Sequence, residues 1–534
     1  MDNKETPLAT AIAAQGVQSL TPFHSAYGSG SQHIVEKYNW FIGKANIERK
    51  QHQLDGIIWC VNNELAAPLP AENPLVQPLP VKGGFICDEM GLGKTIMMIG
   101  VCLTNFLPHT LIVVPPMLLA QWNAEIFRTT GHRALIFHGN ANKQNITSEQ
   151  LSAAPIVLTT YNTLVTTKKY KLLRLPPKEF NHSPSTMLRM STARRTSCLL
   201  HSIAWSRVIC DEAHHLRNKN SRSTGCKLLK SDIRWLVTGT PIQNSRKDYY
   251  NLCSALGLPA SMHSVAPILR RTKAQIGIAL PSVSQDNDTI AWSNKNEMQL
   301  SSDIHSAIDT SSFKLQLFLQ ARKSCILPSM LSSQITSMTS NRTITNNFVY
   351  SDALNYSSKL DHVISVILAR KDNGNGKLIF CHFRPEINAI IQRLKAGGMT
   401  NVASFDGRDT KGSRQDKLTT KYDALVLQIQ AGCEGLNLQA NYSEVYFVSP
   451  HWNPAVEDQS VARCHRIGQT KPVYVFRFKM ANFMKEDVHM LQTTTQCGEQ
   501  LNSRGDSLRS LNTMDTYITH VQDKKRGFAN EVLN

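Results

Sequence analysis

Short apolar runs separated by helical stretches recur along most of the chain, in two series. In the first, the runs stand at 85–87, 111–114, 134–137, 156–159, 207–210 and 235–237. In the second, they stand at 378–381, 402–405, 424–429, 445–448 and 473–478, with helical stretches such as 358–370 and 386–394 between them. Apolar runs that alternate with helices predict parallel sheets covered on both faces, an α/β architecture. Ahead of the first series, KQHQLDGIIW sets Leu54, Ile57 and Ile58 on one face of a short helix. The proline-rich stretch from Pro68 to Pro80 reads as a loop. The pattern divides the chain into an N-terminal tail (1–41), a first lobe (42–279), a linker rich in Ser, Thr and Asn (280–350), a second lobe (351–490) and a polar C-terminal tail (491–534).

Composition narrows the classes. A chain of 534 residues, 41% hydrophobic, exceeds one core and has enough apolar content to build two. The net charge of +18 favours a polyanionic partner, and basic residues thicken between Lys168 and Arg234. Twelve cysteines are scattered without a C-x-x-C pair, which fits a reducing compartment and neither a disulfide framework nor structural zinc. No apolar run is long enough to cross a bilayer, and a soluble intracellular protein is expected.

The candidate chemistry begins at GGFICDEMGLGKTIMMI, residues 83–99. A strand ends, the segment Asp88, Glu89, Met90, Gly91, Leu92, Gly93, Lys94 and Thr95 turns, and an apolar run opens a helix. Glycines there let backbone N–H groups converge, the helix dipole adds partial positive charge, and a lysine supplies a full one. In this phosphate-loop pattern Lys94 reaches the β/γ-phosphates of ATP and the Thr95 hydroxyl ligates Mg²⁺, although Asp88 stands where the strict pattern has glycine. The second signal is RVICDEAH, 207–214, in which a β-branched strand delivers Asp211 and Glu212 at its C-terminal end. Asp211 would hold Mg²⁺ through water and Glu212 would orient or deprotonate the attacking water. Each stretch alone also fits a bland reading, a glycine turn or a capped helix start. His214 and His215 are read as hydrogen-bonding side chains, and Trp122 and Trp452 as packing anchors.

Taken in order, HQLDGIIW with Gln53, DEMGLGKT, LIVVPPMLLAQW (111–122), VLTTY (157–161), DEAH and VTGTPIQN (237–244) resemble the ATPases of helicase superfamily two, and more narrowly the Swi/Snf-type DNA translocases. LRRTK (269–273), KLIFCHF (377–383), AGCEGLNL (431–438), HWNP (451–454) and QSVARCHRIGQ (459–469) extend the likeness over most of the chain. The resemblance implies two tandem RecA-like lobes with ATP and Mg²⁺ between them. It implies that Gln53 reads the adenine edge, since an amide offers a donor and an acceptor. Arg463 and Arg466, spaced i and i+3 and expected on one helical face, would be arginine fingers, with Gln459 and Gln469 completing that face. Thr238, Gly239 and Thr240 resemble the motif that couples hydrolysis to lobe movement. Pro115, Thr159, Thr160, Gly435, Leu436 and Asn437 resemble contacts to the DNA backbone, which carry no base code.

The function so implied is a DNA-dependent ATPase that moves along double-stranded DNA or displaces proteins, including nucleosomes, bound to it. A nuclear site, or another DNA-containing compartment such as a viral replication site, would follow. A strand-separating DNA or RNA helicase shares the same motifs, and a non-catalytic DNA-binding scaffold is the alternative of another class.

Overall fold

The computed structural model describes residues 32–65, 82–139, 145–165, 168–169, 194–195, 198–310, 314–340, 344, 350–408, 416–417, 420–432, 436–483 and 512–533. It divides near Ile278 into two compact units.

The strands of the first unit are β1 (Lys82–Ile86), β2 (Thr110–Val114), β3 (Leu135–Phe137), β4 (Ile156–Thr160), a two-residue antiparallel pair β5 (Lys168–Lys169) and β6 (Arg194–Arg195), β7 (Ala204–Asp211), β8 (Lys230–Val237) and β9 (Ile268–Leu269). Seven form one parallel sheet in the order β3-β4-β2-β7-β8-β1-β9. Alternate residues serve its two faces. Ile86, Ile112, Val114, Leu158, Ile209 and Val237 share a core with helices Gln32–Ala45, Gln51–Leu65, Lys94–Thr104 and Leu119–Thr130. On the other face Phe85 meets Tyr249 of helix Arg246–Leu256, ring centroids 5.8 Å apart. Each such side chain taken fully out of water contributes about 1.5–3 kcal/mol. Between the first core's helices and its sheet lies one buried charge centre. The Glu64 carboxylate accepts from Arg207 Nε at 2.6 Å, Asn105 Nδ2 at 2.6 Å and Trp235 Nε1 at 2.8 Å.

The second unit carries β10 (Val283–Ile290), β11 (Gly376–Cys381), β12 (Val402–Phe405), β13 (Ala424–Gln428), β14 (Tyr442–Phe447) and β15 (Val473–Met480), again all parallel, in the order β10-β15-β14-β11-β13-β12. Two parallel sheets flanked by helices on both faces are the expected fold class. The eleven apolar runs all land on strands.

Three boundaries differ from the reading of the sequence. The stretch 280–350, expected as a linker, contributes β10 and three helices to the second unit. β10 reads VSQDNDTI and buries only Ile290, because it is the sheet's edge and is held by backbone pairing to β15 alone. Hydropathy cannot show such a strand. Helices Lys295–Thr310 and Lys314–Ile326 bury Leu300, Ile304, Ala321 and Cys325 in the core. The expected N-terminal tail ends in the packed helix Gln32–Ala45, which buries Tyr38 and Phe41; residues 1–31 lie outside the described residues.

The expected C-terminal tail contains helix Met514–Leu533, whose Met514 and Ile518 enter the core. Asp515 pairs with the buried Lys359 and accepts from Met480 N at 2.9 Å. Met514 N donates to His305 Nε2 at 2.8 Å, so the ring proton sits on Nδ1, which donates to Ser301 O at 2.6 Å. Burial depresses the His305 pKa from 6.5 to about 4. A depressed histidine contributes stability that is present above pH 6.5 and is lost as pH falls toward 4, at about 1.4 kcal/mol per pH unit. Amide exchange at 514–518 is therefore expected to speed up between pH 6.5 and pH 5 relative to the sheet strands. Equal protection at the two pH values, after correction for intrinsic exchange, would exclude the contact.

Among the described residues, no group of three or more His, Cys, Asp or Glu side chains could hold a metal ion, and no helix is long and apolar enough to cross a membrane.

Candidate active site

The site lies in the first unit, at the C-terminal ends of β1, β7 and β8, where parallel sheets gather ligands. β1 runs into the loop 87–93 and then helix Lys94–Thr104. Gly93 caps that helix at φ 80°, a left-handed conformation, and a Cβ there would stand 2.3 Å from Gln53 Nε2. Glycine is needed on both counts. Leu92 is buried, and its carbonyl accepts from Gln53 Nε2 at 3.3 Å and lies 3.0 Å from His52 Nε2. Lys94 Nζ donates to the carbonyls of Asp88 at 2.8 Å and Glu89 at 3.3 Å. Desolvation lowers the pKa of Lys94, opposed by the carboxylates of Glu212, Asp88 and Asp211 in that order. The lysine and both carboxylates thus share one electrostatic environment.

β7 ends at Asp211, and Glu212 turns the chain at φ 49° and ψ 48°. For a residue with a side chain this conformation costs about 1–2 kcal/mol. Asp211 accepts from Trp122 Nε1 at 2.7 Å and from the Glu212 N–H at 2.9 Å. Burial and the charge of Glu212 nevertheless push its pKa up to about 6. His214 Nδ1 lies 3.2 Å from Glu212 Oε2 and 3.4 Å from Thr238 Oγ1, so it links the end of β7 to the end of β8. Gly239 then passes close to the loop: a Cβ there would meet Met90 Cγ at 2.8 Å and Lys94 Nζ at 3.4 Å. Thr240 N donates to Thr238 Oγ1 at 3.2 Å and Thr240 Oγ1 accepts from Gln243 at 3.2 Å.

The residues present fit a nucleotide and a hard cation. Gln53 Oε1 is buried without a hydrogen-bond partner, an acceptor left open beside the loop. A carboxylate beside another carboxylate, with the Thr95 hydroxyl on the helix's first turn, is a donor set suited to Mg²⁺.

Several expected site residues are placed differently. The carboxylates of Asp88 and Glu89 are engaged within the protein. Asp88 is buried against Arg271 at 2.5 Å, and the Glu89 carboxylate is bound by Lys273 at 3.0 Å. Thr159 and Thr160 are fully buried, with hydroxyls spent on Phe137 O at 2.8 Å and on Thr163 and His138 at 3.1 Å each, and Pro115 is buried as well. These hydroxyls are engaged within the protein.

In the second unit, helix Pro454–Val461 ends before the arginines, so Arg463 and Arg466 stand on a turn and not on one helical face. Arg466 pairs with the exposed Asn437, and burial together with Arg463 lowers its pKa to about 10. Leu436 is buried, and Gly435 lies outside the described residues. Gln469 is a clamp for this turn: Nε2 donates to the carbonyls of Gln439, Tyr442 and Cys464, and Oε1 accepts from the N–H groups of Thr470 and Lys471. Gln459 is likewise buried. Trp122 is an anchor as expected, but its role as a donor to Asp211 was not foreseen. Its spacing from the acidic strand, 89 residues, gives no signal in the sequence.

Comparison with known proteins follows the same division. Residues 52–266 match the SNF2-related domain, and residues 358–468 match the helicase conserved C-terminal domain. The chain belongs to the SNF2-related family of helicase superfamily two. Among curated relatives, it is 25% identical to the DNA excision repair protein ERCC-6-like of Danio rerio, over 77% of this chain and 34% of that one. It is 24% identical to the ATP-dependent DNA helicase DDM1 of Arabidopsis thaliana, over 82% and 60%. The chain spans about a third of the length of the first curated relatives it matches. Among solved structures, the Sulfolobus solfataricus SWI2/SNF2 ATPase core in complex with dsDNA aligns at 21% identity over 91% of this SNF2-related chain and 96% of that one, with a TM-score of 0.34. The Pyrococcus furiosus Hef helicase domain aligns at 13% identity over 84% and 98%, with a TM-score of 0.49.

Proposed function

We propose that this chain hydrolyses ATP and uses the reaction to move along double-stranded DNA, or to displace proteins and nucleosomes bound to it, in the nucleus or another DNA-containing compartment. The observation that carries the reading is that Lys94, Asp211 and Glu212 gather at the C-terminal ends of β1 and β7, on either side of β8, and interact electrostatically. Phosphoryl transfer needs positioning and charge neutralisation more than covalent help, and these three groups supply both. Lys94 binds the β- and γ-phosphates; burial lowers its pKa, and the charges of Glu212, Asp88 and Asp211 oppose that shift. Glu212 holds the attacking water and takes its proton, with His214 fixing the carboxylate. Thr95 and Asp211 would hold Mg²⁺, which when bound would neutralise phosphate charge. Arg463 and Arg466 are the second unit's candidates for phosphate binding. Gly239, packed against the loop, is the point where a change at the phosphates is felt by β8.

The net charge of +18 supports a polyanionic track. The test is steady-state ATPase with no nucleic acid, single-stranded DNA, duplex DNA and duplex RNA. Stimulation by duplex DNA that falls steeply with salt is expected. Stimulation by RNA or single strands alone would replace the translocase with a strand-separating helicase, and an inert protein that still binds DNA would replace it with a scaffold.

A further inference from the structure

Arg271 lies in the LRRTK segment, to which nothing above assigns a part in nucleotide chemistry, yet it is buried at the centre of the site's scaffold. Its Nε donates to Asp88 Oδ1 at 3.1 Å, its Nη2 to Asp88 Oδ2 at 2.5 Å, and its Nη1 to the carbonyl of His52. Its backbone N–H donates to Asp88 Oδ1 at 3.0 Å, and its carbonyl accepts from Glu89 N at 2.8 Å. One guanidinium therefore joins residue 52, immediately before the base-reading Gln53, to residue 88, the start of the phosphate loop. Met97 Sδ at 3.6 Å and the bare Cα of Gly56, where a Cβ would come 2.8 Å from Nη2, close the pocket around it.

The consequence concerns which base the site accepts. A free amide could rotate to suit either purine, because it offers a donor at one end and an acceptor at the other. Here one Nε2 hydrogen is committed to the Leu92 carbonyl, which sets the amide's orientation and places the unpartnered Oε1, an acceptor, at the opposite end. Adenine presents an amino donor at C6 and satisfies it. Guanine presents a carbonyl oxygen at that position and would set acceptor against acceptor. The Gln53–Leu92 bond exists only while helix Gln51–Leu65 and the loop keep their spacing, and the planar fork of Arg271 spans the two. Resting on the ATP reading above, we propose that Arg271 is a positioning residue for base selectivity, holding the Gln53 amide in the orientation that admits adenine and excludes guanine nucleotides.

The test measures binding of fluorescent ATP and GTP analogues, and KM and kcat for both triphosphates, with the full chain carrying Arg271→Lys, Asp88→Asn, Gln53→Ala, or Arg271→Lys with Gln53→Ala. Lysine keeps the charge but cannot span both partners. For Arg271→Lys the KM for ATP is expected to rise about tenfold, with the ATP-over-GTP preference falling to that of Gln53→Ala. The double variant should lose no further preference, since both substitutions remove one device. Asp88→Asn, which keeps the shape of the site, should move the preference in the same direction. An unchanged preference in both Arg271→Lys and Asp88→Asn, with only a lowered Tm, would overturn the proposal and leave Arg271 a structural pin. Wild-type protein that binds neither analogue would overturn the nucleotide reading itself.

Discussion

Glu212→Gln is expected to lower ATP turnover by roughly 10²–10⁴-fold, the range for loss of a general base, while nucleotide binding is retained. The substitution is nearly isosteric and leaves an amide oxygen 3.2 Å from His214 Nδ1, so the turn at φ 49° and the contact to His214 can survive. What disappears is the negative charge. That charge is also the largest of those supporting protonated Lys94, so its removal weakens the lysine's hold on its proton as well as the activation of water. Both effects act on the chemical step. A variant with wild-type turnover in the presence of duplex DNA would remove Glu212 from the mechanism. A variant that no longer binds nucleotide would make its role one of loop structure.

Local patterns made the strands that carry the candidate site legible. The phosphate loop and the acidic strand are contiguous in sequence, and each places its functional groups within eight residues. The parallel sheets were legible for the same reason, since buried strands must be continuously apolar. What was hidden depends on tertiary pairing. β10 is polar because an edge strand needs backbone partners and little burial. Arg271 and Asp88 are 183 residues apart, and Trp122 reaches Asp211 across 89, so neither pair leaves a periodic trace. Motif likeness also does not show which side chains of a motif are engaged within the protein. Asp88, Glu89 and Gln469 sit inside motif sequences, but their side chains hold neighbouring backbone and side chains in place. Thr159 and Thr160 are at the end of β4, a strand paired on both sides, where a small hydroxyl satisfies buried groups as readily as it would a phosphate.

The largest loss of stability is expected from Glu64→Ala. Glu64 and Arg207 are both fully buried as side chains, and removal of one partner leaves a guanidinium without its countercharge in a low-dielectric core. Arg207 would keep the carbonyl of Asn105 at 2.8 Å, a long contact to Thr110 Oγ1 at 3.5 Å and the neutral Cys102 thiol, none of which carries a countercharge. Trp235 Nε1 and Asn105 Nδ2 would lose their acceptor in the same step. A destabilisation of about 3–5 kcal/mol is expected for the first unit, read from its urea midpoint. Glu64→Leu combined with Arg207→Leu should cost less than Glu64→Ala alone, because the penalty comes from the stranded charge and not from the missing attraction. Glu64 and Gln53 ride the same helix, Gln51–Leu65, so partial unfolding around Arg207 should also weaken ATP binding before the sheet melts. A single variant within 1 kcal/mol of wild type would mean that water reaches Arg207, and that the packing of Ile57, Ile58 and Val61, not the ion pair, seats this helix on the sheet.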